Sequence, residues 1–366
     1  MRSHRCFRTV VLLLAASLSD LAAAQPVSEA PPDTALIRLA AALAEAAPEI
    51  AQVWPGYWPA EQPFMLLRRD TTALLVALWT PPPVYRPIPD EALPPSLQGH
   101  AYVRDGYLPE FAGRNSYPGE PYDVGGRDVF AMKVPMKRPT LFGRADFFIH
   151  ELFHLYQRRE PDGWAETAED TIVGLSPKDF IDDPSLATDP DFQARIVVEH
   201  RLLQDALTAS SQDSLRLLLR TYLAARAERI GDRADIEAVE RRYERREGTA
   251  SFVGYRAAAA TVSEPDQAAH AIRDELDATL EHGSGLDGPF IMTFRWRLYE
   301  TGAALSLLLD RLGVPDWQRA VERGRHLDAL VADAVAFDAE RDAPLAIEAL
   351  DRYGHEQLLR TEHEKD

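Results

Sequence analysis

Five consecutive residues, His150-Glu151-Leu152-Phe153-His154, carry the side chains best suited to chemistry. They form an H-E-x-x-H pattern inside the apolar stretch from Phe147 to Tyr156. On a helix, residues four apart project from one face. Two imidazoles so placed can grip one Zn²⁺, and the glutamate beside the first can take a proton from water at the metal. The stretch is apolar on nearly every side, which predicts a buried helix. Two histidines and a glutamate buried there without partners would be costly.

A hydrolytic zinc site takes three protein ligands and leaves a fourth position open. Sulfur is not available, because the single cysteine is Cys6, close to the start of the chain. The metzincin continuation needs glycine at 157 and histidine at 160, where this chain has Gln157 and Glu160. A G-T-x-x-D continuation fails too, since Gly248-Thr249 is followed by Ala250, Ser251 and Phe252. Glu247 remains. It lies on the apolar stripe Ile236, Val239, Tyr243, Ala250, Gly254 of an expected helix over 234–262. A carboxylate facing inward is neutralised, ion-paired or bound to metal. Arg245 or Arg246 could serve as an ionic partner instead, and Glu244, Glu166 and Glu169 are the alternative ligands.

The motif His150-Glu151-Leu152-Phe153-His154, followed by Glu247-Gly248-Thr249-Ala250-Ser251-Phe252-Val253, resembles the gluzincin metallopeptidases. Tyr299-Glu300-Thr301-Gly302-Ala303, with Leu305, Leu309 and Leu312-Gly313, is similar to the Tyr-Glu-Lys-Gly-Ala helix of the zinc aminopeptidases. The resemblance implies a zincin-like catalytic domain with one Zn²⁺ per chain. It implies His150, His154 and Glu247 as ligands, Glu151 as general base and Tyr299 as donor to the oxyanion. Thr301 replaces the lysine of the family motif, and no Gly-x-Met-x-Asn segment precedes the metal helix. The interval from His154 to Glu247 is longer than in that family and implies an inserted helical pair. Tyr299 also has a packing role open to it, beside the stripe Phe294, Leu298, Gly302, Leu305 and Leu309.

The elements that must position these residues give an α+β chain, mainly α. Ala35 to Ile50 predicts a helix ending near Pro48. Phe64–Leu67 and Ala73–Trp79 read as strands about a charged turn, and Asp128–Met136 as a third. Residues 81–95 are proline-rich and expected to be extended, and 104–126 to be loop. Thr140 is placed to cap the metal helix, Arg158 and Arg159 suit its last turn, and Pro161 stops it. Residues 161–190 read as loop. Helices then follow around Phe192–Leu207, Leu215–Tyr222, 234–262 and 293–312, with an amphipathic helical end. The expected organisation is a signal peptide over 1–24, an N-terminal region with a small sheet over 25–140, a zinc-binding helical core over 141–262, and a helical region over 263–366 that completes the site.

The first 24 residues have Arg2, Arg5 and Arg8, an apolar run from Thr9 to Leu18, and Ala22-Ala23-Ala24 before Gln25. That pattern predicts a secretory signal cleaved after Ala24, hence a secreted or periplasmic protein without stable membrane insertion. A formal net charge of −18 argues against a nucleic-acid surface. A peptide or protein substrate is the expected partner. The rival functions are a zinc-dependent amidase of a small exported substrate and a non-catalytic zincin scaffold that binds. Among lesser residues, Tyr255 reads as structural, with a hydrogen bond near Glu247 as the alternative. His200, His270, His282 and His326 read as isolated. Asp146 reads as a first-turn acidic residue, with a hydrogen bond to His150 as the alternative. The aromatic segment 54–63 reads as core packing.

Overall fold

The computed structural model describes residues 33–57, 62–68, 71–106, 108–111, 122–134, 138, 140–159, 164, 189–283 and 290–363. The expected signal segment, most of 161–190, and Glu166 and Glu169 lie outside these residues. From Asp33 onward the chain is one compact unit, mostly helical with a small mixed sheet.

Two helices open it, α1 (Thr34–Glu45) and α2 (Ala47–Val53). Asp33 caps α1 through the amides of Ala35 and Leu36. Pro48 does not end a single long helix. It sits in the first turn of α2, where a missing N–H costs nothing.

Six strands follow: β1 (Phe64–Arg68), β2 (Thr72–Val76), β3 (Arg86–Pro87), β4 (Ala101–Asp105), β5 (Tyr122–Asp123) and β6 (Asp128–Lys133). Their order in the sheet is β3-β4-β2-β1-β6-β5, with β1 and β6 parallel and every other pair antiparallel. Leu66 pairs with Leu74 on one side and Met132 on the other. Phe64, Leu66, Leu74, Phe130 and Met132 join the main core, while Met65, Leu67, Ala73, Leu75, Val129 and Ala131 fill a second core on the opposite face. Burial on both faces explains why these strands are continuous apolar runs without alternation. β3 and β5 stand in stretches expected to be extended or loop, and β4 runs into the expected loop from residues given no element.

Helix α3 (Leu141–Arg159) carries the H-E-x-x-H pattern and lies against the main-core face of the sheet. Phe148 meets both Phe64 and Phe130 edge-on, with ring centroids 5.2 and 5.3 Å apart. Thr140 caps the helix by accepting from the Gly143 amide at 3.0 Å. Trp54 and Tyr57 pack edge-on against Phe153, at 5.1 and 5.3 Å, so segment 54–63 does supply core where it is described. Truncating a buried ring such as Phe153 costs about 3–5 kcal/mol, so these contacts fix the depth and rotation of α3.

The described residues that follow are mainly helical: α4 (Pro190–Thr208), α5 (Gln212–Ile230), α6 (Ala234–Tyr243), a π turn over Glu244–Gly248, α7 (Thr249–Val262), α8 (Gln267–Gly283) and α9 (Phe290–Leu312). Four short helices, α10 (Trp317–Glu322), α11 (Leu327–Val335), α12 (Ala339–Arg352) and α13 (His355–His363), close the chain. Among the described residues, α4, α5 and α6 stand between α3 and the π turn. Helix α7 runs along α3 at close range. A Cβ at Gly254 would lie 2.6 Å from Asp146 Oδ1 and 2.9 Å from its carbonyl oxygen, so only glycine permits that approach.

Candidate metal centre

His150 and His154 project from one face of α3, and Glu247 meets them from the π turn. Glu247 Oε2 lies 3.5 Å from His150 Nε2 and 3.1 Å from His154 Nε2. The two imidazole Nε2 atoms are 3.2 Å apart. These three side chains lie together as a group that could hold a metal ion. The side chains are only 12% exposed. Burial pushes the Glu247 carboxyl up, but hydrogen bonds from His150 and His154 outweigh it and hold the group well below the usual carboxylate range. Burial pulls His154 down, yet the hydrogen bond and charge of Glu247, followed by Gln157 and the charge of Glu151, hold it above its ordinary value.

The outer nitrogens of the two rings are also engaged. His154 Nδ1 lies 2.6 Å from Gln157 Oε1, and His150 Nδ1 lies 3.3 Å from Ser251 Oγ. Glu151 is half-buried on α3 between the two histidines. Tyr299 comes from α9 and lays its ring parallel to that of His150, 5.7 Å between centroids and 5° between planes. The structure therefore brings all five expected residues to one place: two imidazoles and a carboxylate on α3, a second carboxylate on the π turn, and a tyrosine on α9.

The described alternatives to a metal role for Glu247 divide. Arg246 does pair with it, Nε lying 4.0 Å from Oε1 on the oxygen turned away from the histidines, while Arg245 sits over the Trp164 ring. Glu244 is buried and accepts from Arg226 Nη1 at 2.7 Å and from Thr301 Oγ1 at 3.1 Å. Tyr255 donates to both carboxylate oxygens of Glu300, at 3.1 and 3.0 Å, rather than to Glu247. Asp146 is the sixth residue of α3, so it is not a first-turn acid. It is buried, and Arg138 reaches it at 2.6 Å. Burial raises its carboxyl to about 6 against the pull of Arg138.

The π turn is closely packed. Gly248 and Gly302 face each other where α9 crosses it. A Cβ at Gly248 would stand 2.4 Å from Gly302 Cα, so no larger pair fits. Behind the turn lies a buried ionic network. Glu240 accepts from Arg229 Nη1 at 2.8 Å, lies 3.2 Å from Arg226 Nη2, and accepts from Arg297. Arg229 in turn donates to Glu199 at 2.5 Å. Helix α6 and the π turn are thus tied to α4, α5 and α9 by charge-assisted bonds in a site of low exposure. Sequence reasoning missed this network. Its signal was present as Glu240 and Glu244 four apart, and Arg226 and Arg229 three apart.

Elsewhere, a cavity of about 520 Å³ opens between α1, α2, the sheet and the side of α3 bearing Phe148, Ile149 and Leu152. None of the three ligands lines it. Among the described residues no helix is long and apolar enough to cross a membrane. Comparisons with protein-family models, with curated proteins and with solved structures find no match to this chain.

Proposed function

We propose that this protein is a zinc-dependent metallopeptidase of the gluzincin type, exported as a secreted or periplasmic enzyme. The observation that carries the reading is the spacing of the three ligand atoms. A tetrahedral zinc with bonds of about 2.0–2.1 Å sets neighbouring ligand atoms about 3.4 Å apart. The three distances among His150 Nε2, His154 Nε2 and Glu247 Oε2 are 3.2, 3.5 and 3.1 Å. Two imidazoles and one carboxylate form a common catalytic zinc donor set, and the fourth position is left for substrate or water.

Zinc bound there supplies Lewis acidity to a substrate carbonyl and makes water a nucleophile near neutral pH. The chain's own residues do the rest. Glu151 takes the proton of the attacking water and returns it to the leaving amine. A base at that position has no use in a purely structural site, which favours catalysis over scaffolding. Tyr299 donates to the oxygen on which negative charge develops, an interaction contributing about 2.7–4 kcal/mol in the transition state. Its stacking on His150 supports that role over packing remote from the ligands.

Metal analysis of the purified protein, run beside a peptide-library digest, tests the proposal. One zinc per chain is expected, lost in Glu247→Ala. Glu151→Gln should keep the zinc and lose hydrolysis. A wild-type protein without zinc, or undiminished cleavage by Glu151→Gln, refutes it.

A further inference from the structure

Gln157 follows His154 by three residues on α3 and is 5% exposed. Its amide works in two directions. Nε2 donates to the Arg246 carbonyl at 2.8 Å and to the Thr249 hydroxyl at 3.1 Å. A backbone carbonyl only accepts, so the nitrogen end of the amide belongs there. The other end, Oε1, faces His154 Nδ1 at 2.6 Å. An amide oxygen also only accepts, so the hydrogen in that contact sits on the imidazole. With Nδ1 protonated, the neutral ring presents the lone pair of Nε2 to an ion. That is the nitrogen that faces Glu247.

The same side chain ties two elements together. Arg246 and Thr249 stand on either side of Glu247, and the Thr249 hydroxyl donates onward to the Arg245 carbonyl at 2.6 Å. A π turn takes its backbone out of the ordinary four-residue pattern, so its carbonyls need other donors. Gln157 is one of them. A single buried amide therefore meets the ring of the second ligand and the backbone flanking the third. The first ligand has a looser arrangement. Ser251 Oγ lies 3.3 Å from His150 Nδ1, and a hydroxyl can donate or accept, so it does not select the tautomer by itself.

We propose that Gln157 is the positioning residue of the metal centre: it sets the tautomer of His154 and latches the π turn that presents Glu247, so that the three ligands are assembled before metal arrives. The proposal rests on the metal-binding reading above. Removing a partner that orients a ligand typically weakens metal affinity by about 10–100-fold. Gln157→Met keeps the length and loses both kinds of hydrogen bond. Gln157→Glu keeps an acceptor for Nδ1–H and loses the donor to Arg246.

The test uses the full chain, with zinc affinity measured by competition against a chromophoric chelator and the histidine rings followed by ¹⁵N NMR. In the zinc-loaded wild type, His154 should show a Nδ1–H proton protected from exchange. Gln157→Met should lose that protection and bind zinc about 10–100-fold more weakly. Gln157→Glu should retain the Nδ1–H signal while still losing affinity, which separates the tautomer from the latch. Ser251→Ala should weaken binding less than Gln157→Met. Wild-type zinc binding with equal affinity in Gln157→Met overturns the proposal alone, as does a His154 ring protonated at Nε2. A wild type that takes no metal overturns the metal reading, and this proposal with it.

Discussion

Replacing Gly302 with alanine tests whether the close crossing of α9 over the π turn holds the third ligand in place. The added Cβ would stand 2.5 Å from the Glu244 carbonyl oxygen, 2.7 Å from Gly248 Cα and 2.8 Å from Glu244 Cα. All three are backbone atoms, so no side-chain rotation relieves the clash. Ordinary contact begins near 3.4 Å, so α9 and the turn must part by about 1 Å. Forcing an extra methyl into a close-packed contact costs about 1–3 kcal/mol. At an unfolding entropy of about 2.1 cal/mol/K per residue, a unit running from Asp33 to Asp366 loses roughly 1–4 °C in Tm. The displacement falls on the segment carrying Glu247 and on the helix carrying Tyr299. Metal–ligand distances tolerate only about 0.2 Å. A shift several times larger should therefore weaken zinc binding by at least about tenfold, the scale seen when a ligand's support is removed. Thermal melts of metal-free and zinc-loaded protein, with affinity from chelator competition, give both quantities. An unchanged Tm would refute the packing argument. A lowered Tm with wild-type zinc affinity would refute the link from that contact to the site.

Three further outcomes are expected. Tyr299→Phe should keep its zinc and lose about 10²–10³ in kcat, as removal of an oxyanion donor does; an unchanged kcat removes Tyr299 from the mechanism. Glu240→Gln leaves Arg226, Arg229 and Arg297 facing two carboxylates instead of three, and should cost about 3–5 kcal/mol in urea unfolding. A loss below about 1 kcal/mol would mean that the buried network is not what holds α6, since exposed pairs contribute on that scale. His200 is fully buried, and burial, then the charge of Arg297, lowers its pKa to about 3. Below the unfolded value near 6.5 the unfolded chain binds a proton that the folded chain refuses, so stability falls as pH falls until about pH 3. The loss from this residue should reach about 2 kcal/mol by pH 5. From pH 7 to 5 the wild-type denaturation midpoint should fall relative to that of His200→Leu; parallel curves would show that His200 does not drive the slope.

How much was legible differs from residue to residue. The four-residue spacing of His150 and His154 puts both rings on one helix face whatever surrounds it, so their partnership was readable at once. Glu247 was readable because a carboxylate on an apolar stripe demands a partner. Helices α4 and α5 were readable from the apolar spacing of Phe192–Leu207 and Leu215–Tyr222. Strands β3, β4 and β5 were not found. Two of them are two residues long, and each exists only because another strand supplies its hydrogen bonds, β2 for β4, β4 for β3, and β6 across a tight turn for β5. Pro48 was read as a stop because the same residue that breaks a helix interior is welcome in a first turn, and only the backbone tells which turn it occupies. Gln157 was noticed solely as the position where a metzincin would have glycine.

By itself, the sequence determined which groups could act: two imidazoles at helical spacing, a base between them, and a lone inward carboxylate far downstream. Local periodicity suffices for that, because side-chain direction on a helix follows from position alone. Only the tertiary structure decided that the two imidazoles and Glu247 meet within 3.5 Å of one another, and that Tyr299 lies over His150. It also decided that Gln157 bridges to residues 89 and 92 positions away. Those contacts depend on how closely helices approach at Gly248, Gly254 and Gly302, and on buried charges pairing across four helices. Both are properties of packed surfaces, and no single stretch of chain carries them.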